Sequence, residues 1–524
     1  MSSNRARKKI DDGQLAFDLE QLEDRQMLAG DVSVFLSDGT LHLEGDNASN
    51  RVQIVSDGLT TTISGQGTSI NGDSDSVSFS NDLIYNFNIH MDDGNDQLTM
   101  IAENEFGTGF SSNFSSYISM GDGNDRVQMI ANNSSGRGFA ADYWEIFTGR
   151  GNDRIEFEAN NDLSDLPLEG DGESSFGFDI SQMYIGTSSD NDRVSFEANN
   201  GEFTGGYRFS YLNVQTSSGN DRVEFSADNT GESVGFSIGQ EFNDPEVSAN
   251  NFSNNGWNIN TSSGNDRVNI EANNSSSFGT GYDIFEFDFS TGSGNDRVDM
   301  TVANEGGDDS VGLQAFYGSI DTGPDFENLG EEESDESDRD RVSITARNSG
   351  LTGMLIRNNF EIETGSDRDQ VDISARNRGG TTGFEIGVNP GSLTEGGDIG
   401  LEIYTESDND RVGISARNNG NGSRGLVTSF LNLGTSNGDD RVQIRAQNRG
   451  TESEGIIAFE YANIYLSSGQ DDLQISARDE NGLRIDNGTF DGGSGEQDRL
   501  RSNTSLGNID IYDFEDAPEQ DEDM

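Results

Sequence analysis

SSGNDRVEFSADN, residues 217–229, is one copy of a unit that recurs along almost the whole chain, and it decides the fold. From Val223 the apolar residues Val223, Phe225 and Ala227 alternate with polar ones, the period of a strand with one buried face. The Asp of the unit recurs as Asp96, Asp125, Asp153, Asp192, Asp221, Asp266, Asp296, Asp340, Asp369, Asp410, Asp440, Asp471 and Asp498. The shortest spacings are just under thirty residues and the longer ones carry insertions. A unit of that length that cannot bury its own apolar face must stack on copies of itself, which makes a solenoid.

Each unit reads as three short strands. After the alternating run comes an Asn column that includes Asn104, Asn200, Asn229, Asn274, Asn348 and Asn448, placed to tolerate a left-handed turn and to ladder its amides between coils. A second piece opens Gly-apolar, as in Gly235-Phe236, and a third ends apolar-x-Thr, as in Val214-Gln215-Thr216. Three short strands per turn without a helical run predict an all-β fold, a parallel β-helix of about a dozen coils and of order 60 Å long at about 4.8 Å per coil. The predicted helix spans residues 31–512, regular from about 92 to 500, with Asn50-Arg51-Val52 as a degenerate first copy. Residues 1–30 read as a basic, disordered start followed by a targeting or capping segment, and residues 513–524 as an acidic disordered tail. Insertions fall at 162–175, 239–255, 321–338 and 387–398.

Composition narrows the function. Net charge is 32 − 96 = −64, so nucleic acid and anionic lipid are repelled, and cations are the natural partners. The chain has no Cys, which excludes disulfides and thiolate metal sites. No run of apolar residues is long enough for a transmembrane helix, and no standard secretory signal is evident.

Two stretches carry family resemblances. Leu22, Glu23, Arg25 and Leu28 resemble the N-terminal LEPR-x-LL motif of large repetitive planctomycete proteins, with Asp24 where the motif has Pro and Met27 where it has Leu. That resemblance implies an exported or cell-surface protein. Gly121-Asp122-Gly123-Asn124-Asp125-Arg126-Val127 resembles the calcium-binding nonapeptide of RTX, or haemolysin-type, proteins, as do Gly149 to Ile155 and Gly292 to Val298. There the motif recurs in tandem every nine residues, whereas here it appears once per coil. The resemblance implies Ca2+ as the cofactor, with Asp96, Asp122, Asp125, Asp153, Asp192, Asp221, Asp266, Asp296, Asp369, Asp410 and Asp440 as candidate metal ligands.

Strand parity points the same way. An Asp two residues before an inward Val, such as Asp125 before Val127, faces the corner of its coil, and stacking makes a file of carboxylates about 4.8 Å apart. Each neighbouring pair then repels by about 3.5 kcal/mol at an effective dielectric of 20. Calcium between coils offsets this in one reading; in the other, each carboxylate accepts bonds from its own turn amides and the following Arg screens it. Arg347, Arg376, Arg417 and Arg478, one per coil in the second half, read as charge balance for outward acidic neighbours. The functional expectation is a non-enzymatic, exported or surface-displayed repeat protein, structural or adhesive, with calcium ions and envelope or extracellular polysaccharide or protein as candidate partners. A polysaccharide lyase or glycosidase is the enzymatic alternative, since that chemistry is common on β-helices. Such an enzyme needs a unique coil, and the repeats are uniform.

Overall fold

The Arg-Val-x-apolar-x-Ala-x-Asn pattern builds one face of the coil, here called the front sheet. The computed structural model describes residues 30–515 apart from 105–106, 134–135, 162–174, 202–203, 231–233, 240–255, 324–337, 388–399, 451–453, 479–481, 496 and 507. The N-terminal motif, most of each insertion and the end of the acidic tail lie outside the described residues. The front strands pair in parallel, residue for residue: Arg126, Arg154, Arg193 and Arg222 are successive partners, as are Val127, Ile155, Val194 and Val223. That register needs no adjustment across an insertion, since Arg222 pairs with Arg267 although 45 residues separate the two Asp that precede them. The chain is an all-β parallel β-helix, as its repeat predicts.

A second, back sheet closes the coil. The expected second and third strands often run on as one bent strand, as in Thr204–Gln215, and are separate elsewhere, with an insertion between Val234–Ile238 and Trp257–Asn260 but only two residues between Leu483–Ile485 and Gly488–Asp491. The Gly that opens the second piece has a steric reason. A Cβ at Gly235 would stand 2.8 Å from the Ala227 Cβ and 2.6 Å from the Gly281 carbonyl oxygen, so Ala and Gly together let the two sheets close on each other.

Between the sheets the interior is a set of files. Phe157, Phe196 and Phe225 stack at 4.5 Å between ring centroids, and Phe139, Phe178, Tyr207, Phe236 and Tyr282 stack at 4.5–4.9 Å. The coil rise sets that spacing, because strands hydrogen-bond at about 4.7–4.9 Å. Burying each ring stabilises by about 1.5–3 kcal/mol. At the N-terminal end the strands turn antiparallel: Asp31–Ser37 pairs with Thr40–Glu44, and Arg51–Ser56 with Thr60–Gly65, so the first parallel edge is covered. Arg51–Ser56 also pairs in parallel with Gln97–Ala102, which makes Asn50-Arg51-Val52 the first turn of the front sheet. Among the described residues no helix is long and apolar enough to cross a membrane.

Candidate functional site

The turn that leads into each front strand carries the Asp of the repeat, and the fold stacks these turns directly. Thirteen Asp side chains, Asp96 to Asp498, lie in one file along the corner of the coil, each no more than 3% exposed. The backbone N–H of each donates to Oδ1 of the Asp in the following coil at 2.7–2.9 Å, from Asp96 to Asp125 through to Asp471 to Asp498. Asn50, in the degenerate first copy, begins the file by donating to Asp96 Oδ1 at 2.6 Å. The reading in which each carboxylate accepts from its own turn amides is corrected here: Oδ1 accepts from the neighbouring coil instead. The reason is that the turn is so tightly stacked that its own amides point along the rod axis.

Glycine permits that stacking. Gly264 has φ 139°, and a Cβ there would meet the Gly219 carbonyl oxygen at 1.3 Å. Its own N–H donates to Ser293 O at 2.8 Å, so turn carbonyls too are engaged between coils. Outside the Asp file runs a second one. Asn124 donates from both its backbone N and its Nδ2 to Asn95 Oδ1, at 2.7 and 3.2 Å, and Asn152, Asn191, Asn220, Asn265 and Asn295 repeat the pattern. The inner file points its amides toward the C-terminal end and the outer file toward the N-terminal end.

The second carboxylate oxygen is the unusual atom. Oδ2 has no hydrogen-bond partner in Asp96, Asp125, Asp153, Asp192, Asp221 and Asp266, nor in Asp296, Asp369, Asp410, Asp440, Asp471 and Asp498. Five residues earlier, Thr148, Thr187, Thr216, Thr261 and Thr291 form an adjoining hydroxyl file. Thr148 Oγ1 stands close enough to Asp153 to draw its pKa down, yet outside hydrogen-bond geometry, so both oxygens remain unpartnered. Near the ends of the rod the Thr position is apolar, with Met91 and Met120 before Asp96 and Asp125, and Leu466 before Asp471. Burial pushes the carboxyls far above the ordinary value of 3.8, to about 6 for Asp125, Asp192, Asp221 and Asp266 and about 7 for Asp96, Asp340, Asp410 and Asp471. For Asp153 and Asp296 it reaches about 8, and for Asp369 about 9. Neighbouring carboxylates add to the rise, as Asp340 and Asp410 do at Asp369.

Of the eleven candidate ligands, ten belong to this file. Asp122 does not: it is exposed on the outer side of its turn, where its Oδ1 accepts from Arg150 N at 3.4 Å. Asp340, Asp471 and Asp498 belong to the file although their turns lack the Gly-Asn signature; their distance from the next Val or Leu was the available signal. The donor set fits calcium in part. Each gap between coils offers two Oδ2 atoms and, over the central coils, Thr hydroxyls, while Oδ1 and turn carbonyls already accept amides; calcium takes six to eight oxygens. Among the described residues no three or more His, Cys, Asp or Glu side chains are grouped so as to hold a metal ion.

The Asn column at the far end of the front strand is internal, as expected, but its use differs. None of these Asn has a left-handed backbone. Asn348 instead clamps the turn, donating Nδ2 to Gly350 O at 3.0 Å and Thr382 O at 2.6 Å while Oδ1 accepts from Gly350 N at 3.0 Å. Amide-to-amide contacts occur between Asn304 and Asn348, at 3.2 Å, and between Asn229 and Asn274, at 3.5 Å. Compared with known proteins, the chain matches no family model, no curated protein and no solved structure.

Proposed function

We propose that the chain is a non-enzymatic, exported or surface-displayed rod that works as an extended structural or adhesive module. The observation that carries this reading is the register. Asp, Asn and aromatic columns repeat from coil to coil without one coil set apart as a reaction centre, and uniformity of that kind suits a spacer or a repeated binding face. The enzymatic alternative would use the back-sheet concavity of about 640 Å³ beside Asp142 and Asp179. There Asp179 sits between Arg137 at 2.9 Å and Arg208 at 2.6 Å, an arrangement of ion pairs. Purified protein incubated with a panel of acidic polysaccharides should release no unsaturated or reducing ends. Measurable turnover that disappears in D179N would overturn the reading.

A second reading adds calcium to the rod, favoured by the unpartnered Oδ2 atoms. If each ion binds only the folded chain at free calcium about ten times its dissociation constant, each site contributes about 1.4 kcal/mol. Millimolar calcium should then raise the melting midpoint, a chelator should lower it, and magnesium should restore little because it resists an all-protein oxygen cage. If sodium chloride at a few hundred millimolar in chelator matches calcium, screening explains the effect and calcium drops out.

A further inference from the structure

The front sheet changes character along the rod. In the N-terminal half its outward arginines are consumed by acids. Glu156 lies against both Arg126 and Arg154, Glu224 against Arg193 and Arg222, and Asp299 against Arg267 and Arg297, one acid bridging two coils each time. Asp372 is the last acid in that column to take a front-sheet Arg, reaching Arg341 at 3.4 Å. In the next two coils its place falls to Gly413 and Gln443, and from Arg341 to Ser502 the only acidic residues on the outward positions of the front strands are Asp372 and Asp472.

Arginine meanwhile becomes denser. Arg347, Arg376 and Arg417 are partners on successive strands, about 4.8 Å apart at Cα, and Arg445 and Arg478 continue the group. The notion that these residues balance outward acids is therefore wrong for this half. Among the described residues Arg376, Arg411, Arg417, Arg441 and Arg445 have no ion-pair partner, and Arg417 Nε is buried with nothing to bond. Arg376, Arg417, Arg445 and Arg478 line one concavity of about 420 Å³, with Ser374, Ser415 and Ser476 beside them. A file of like charges held at strand spacing needs an anion. In a chain of net charge −64, such a concentration of cations on one face marks a surface for a ligand.

We propose that this face binds a linear anionic glycan, its carboxylate or sulfate groups taken by the Arg file and its hydroxyls by the intervening Ser and Gln side chains. Guanidinium groups suit both anions because their paired N–H donors match two oxygens at once. Nucleic acid suits the face less well, since the outward strand positions there carry no aromatic ring for base stacking and the flat sheet has no element to enter a groove. A second copy of the chain would bring another strongly negative surface close, whereas a thin polymer can lie on the strip within a Debye length of it. The proposal deepens the adhesive reading and rests on it.

The test measures binding of the intact protein to immobilised heparin, as the sulfated probe, and to polygalacturonate, as the carboxylated one, with dextran as blank and duplex DNA as competitor. Wild type should bind one or both charged glycans at low salt, with affinity falling steeply as salt rises. R376Q/R417Q/R445Q should bind roughly tenfold to a hundredfold more weakly, with a shallower salt dependence. R126Q/R154Q/R222Q, which removes the same charge from the paired half, should bind nearly as wild type. Equal losses in both variants, no binding of either glycan, or DNA preferred to them would each overturn the proposal. So would light scattering that shows a wild-type dimer abolished in R376Q/R417Q/R445Q. R376Q/R417Q/R445Q should melt as wild type does, because none of its three arginines has an ion-pair partner to lose, whereas R126Q/R154Q/R222Q gives up the pairs to Glu156 and Glu224 and should melt slightly lower. Turnover of a glycan would sink the non-enzymatic reading instead, so the two failures are told apart.

Discussion

Asp266 has one oxygen bonded to the Asp221 amide at 2.7 Å and one bonded to nothing, and burial raises its pKa to about 6. Replacing it by Asn keeps the acceptor and exchanges the orphaned oxygen for a neutral amide. D266N should therefore raise stability at pH 8, by about 1 kcal/mol, and change it little at pH 5, where the wild-type carboxyl is already largely protonated. Melting both proteins at both pH values checks this; a loss of stability at pH 8 would mean the ionised oxygen has a partner such as a cation. Asn50 already occupies the first place in the file as an amide. What the sequence made legible about this residue was its inward parity, two positions before Val268. The bond across coils was not legible, because it depends on where the next turn sits.

The turns and strands behave as units with unequal tolerance. G264A should cost about 2 kcal/mol or more, since both its φ of 139° and the approach of Gly219 O oppose a Cβ. G379A should be nearly neutral, because nothing lies within 4 Å of a Cβ there. Equal melting midpoints for the two variants would refute the stacking argument. At the opposite corner, N348L removes bonds to buried carbonyls and should cost about 1–3 kcal/mol, as should N229L, read from the same melts. Front strands were legible because alternation is a local property of side chains. Back strands were legible as pieces only, because whether two pieces join depends on the bend between them, as the unbroken Thr204–Gln215 shows. The Asn column is legible as structural from its recurrence two residues after the Ala of each front strand, but the left-handed backbone expected there is not adopted: the amide closes the turn by hydrogen bonding while the residue itself stays extended.

For the rod as a body, the file governs the response to pH. Eleven of its carboxyls, Asp96 to Asp410 and Asp471, are raised by burial from an ordinary value of 3.8 to about 6 to 9. The folded state thus holds the extra protons, so their contribution to stability is complete below about 4 and drains away as pH rises through that range. The protein should melt higher at pH 5 than at pH 8, the reverse of ordinary acid lability. Net charge acts in the same direction, but salt weakens only that part, so the difference should persist at a few hundred millimolar sodium chloride. A melt that is flat from pH 5 to 8 in high salt would show that the carboxyls titrate normally. The fold class was legible at this level because thirteen recurring Asp residues, their shortest spacings just under thirty, fix a minimum repeat. The cationic face was not, because its meaning lies in which acids are missing from neighbouring strands that stand about thirty or forty residues apart in sequence.

The two antiparallel files of turn hydrogen bonds have one more consequence. Each coil presents donors on one end that match acceptors on its other end, in the Asp file and, with direction reversed, in the Asn file. A coil is therefore complementary to a copy of itself. Duplicating residues 193–221, in frame, adds a turn whose upper and lower surfaces both find the partners they already require. Gene duplication can thus lengthen the rod in increments of about 4.8 Å without inventing a new joint. Its length is open to evolution as a freely variable quantity.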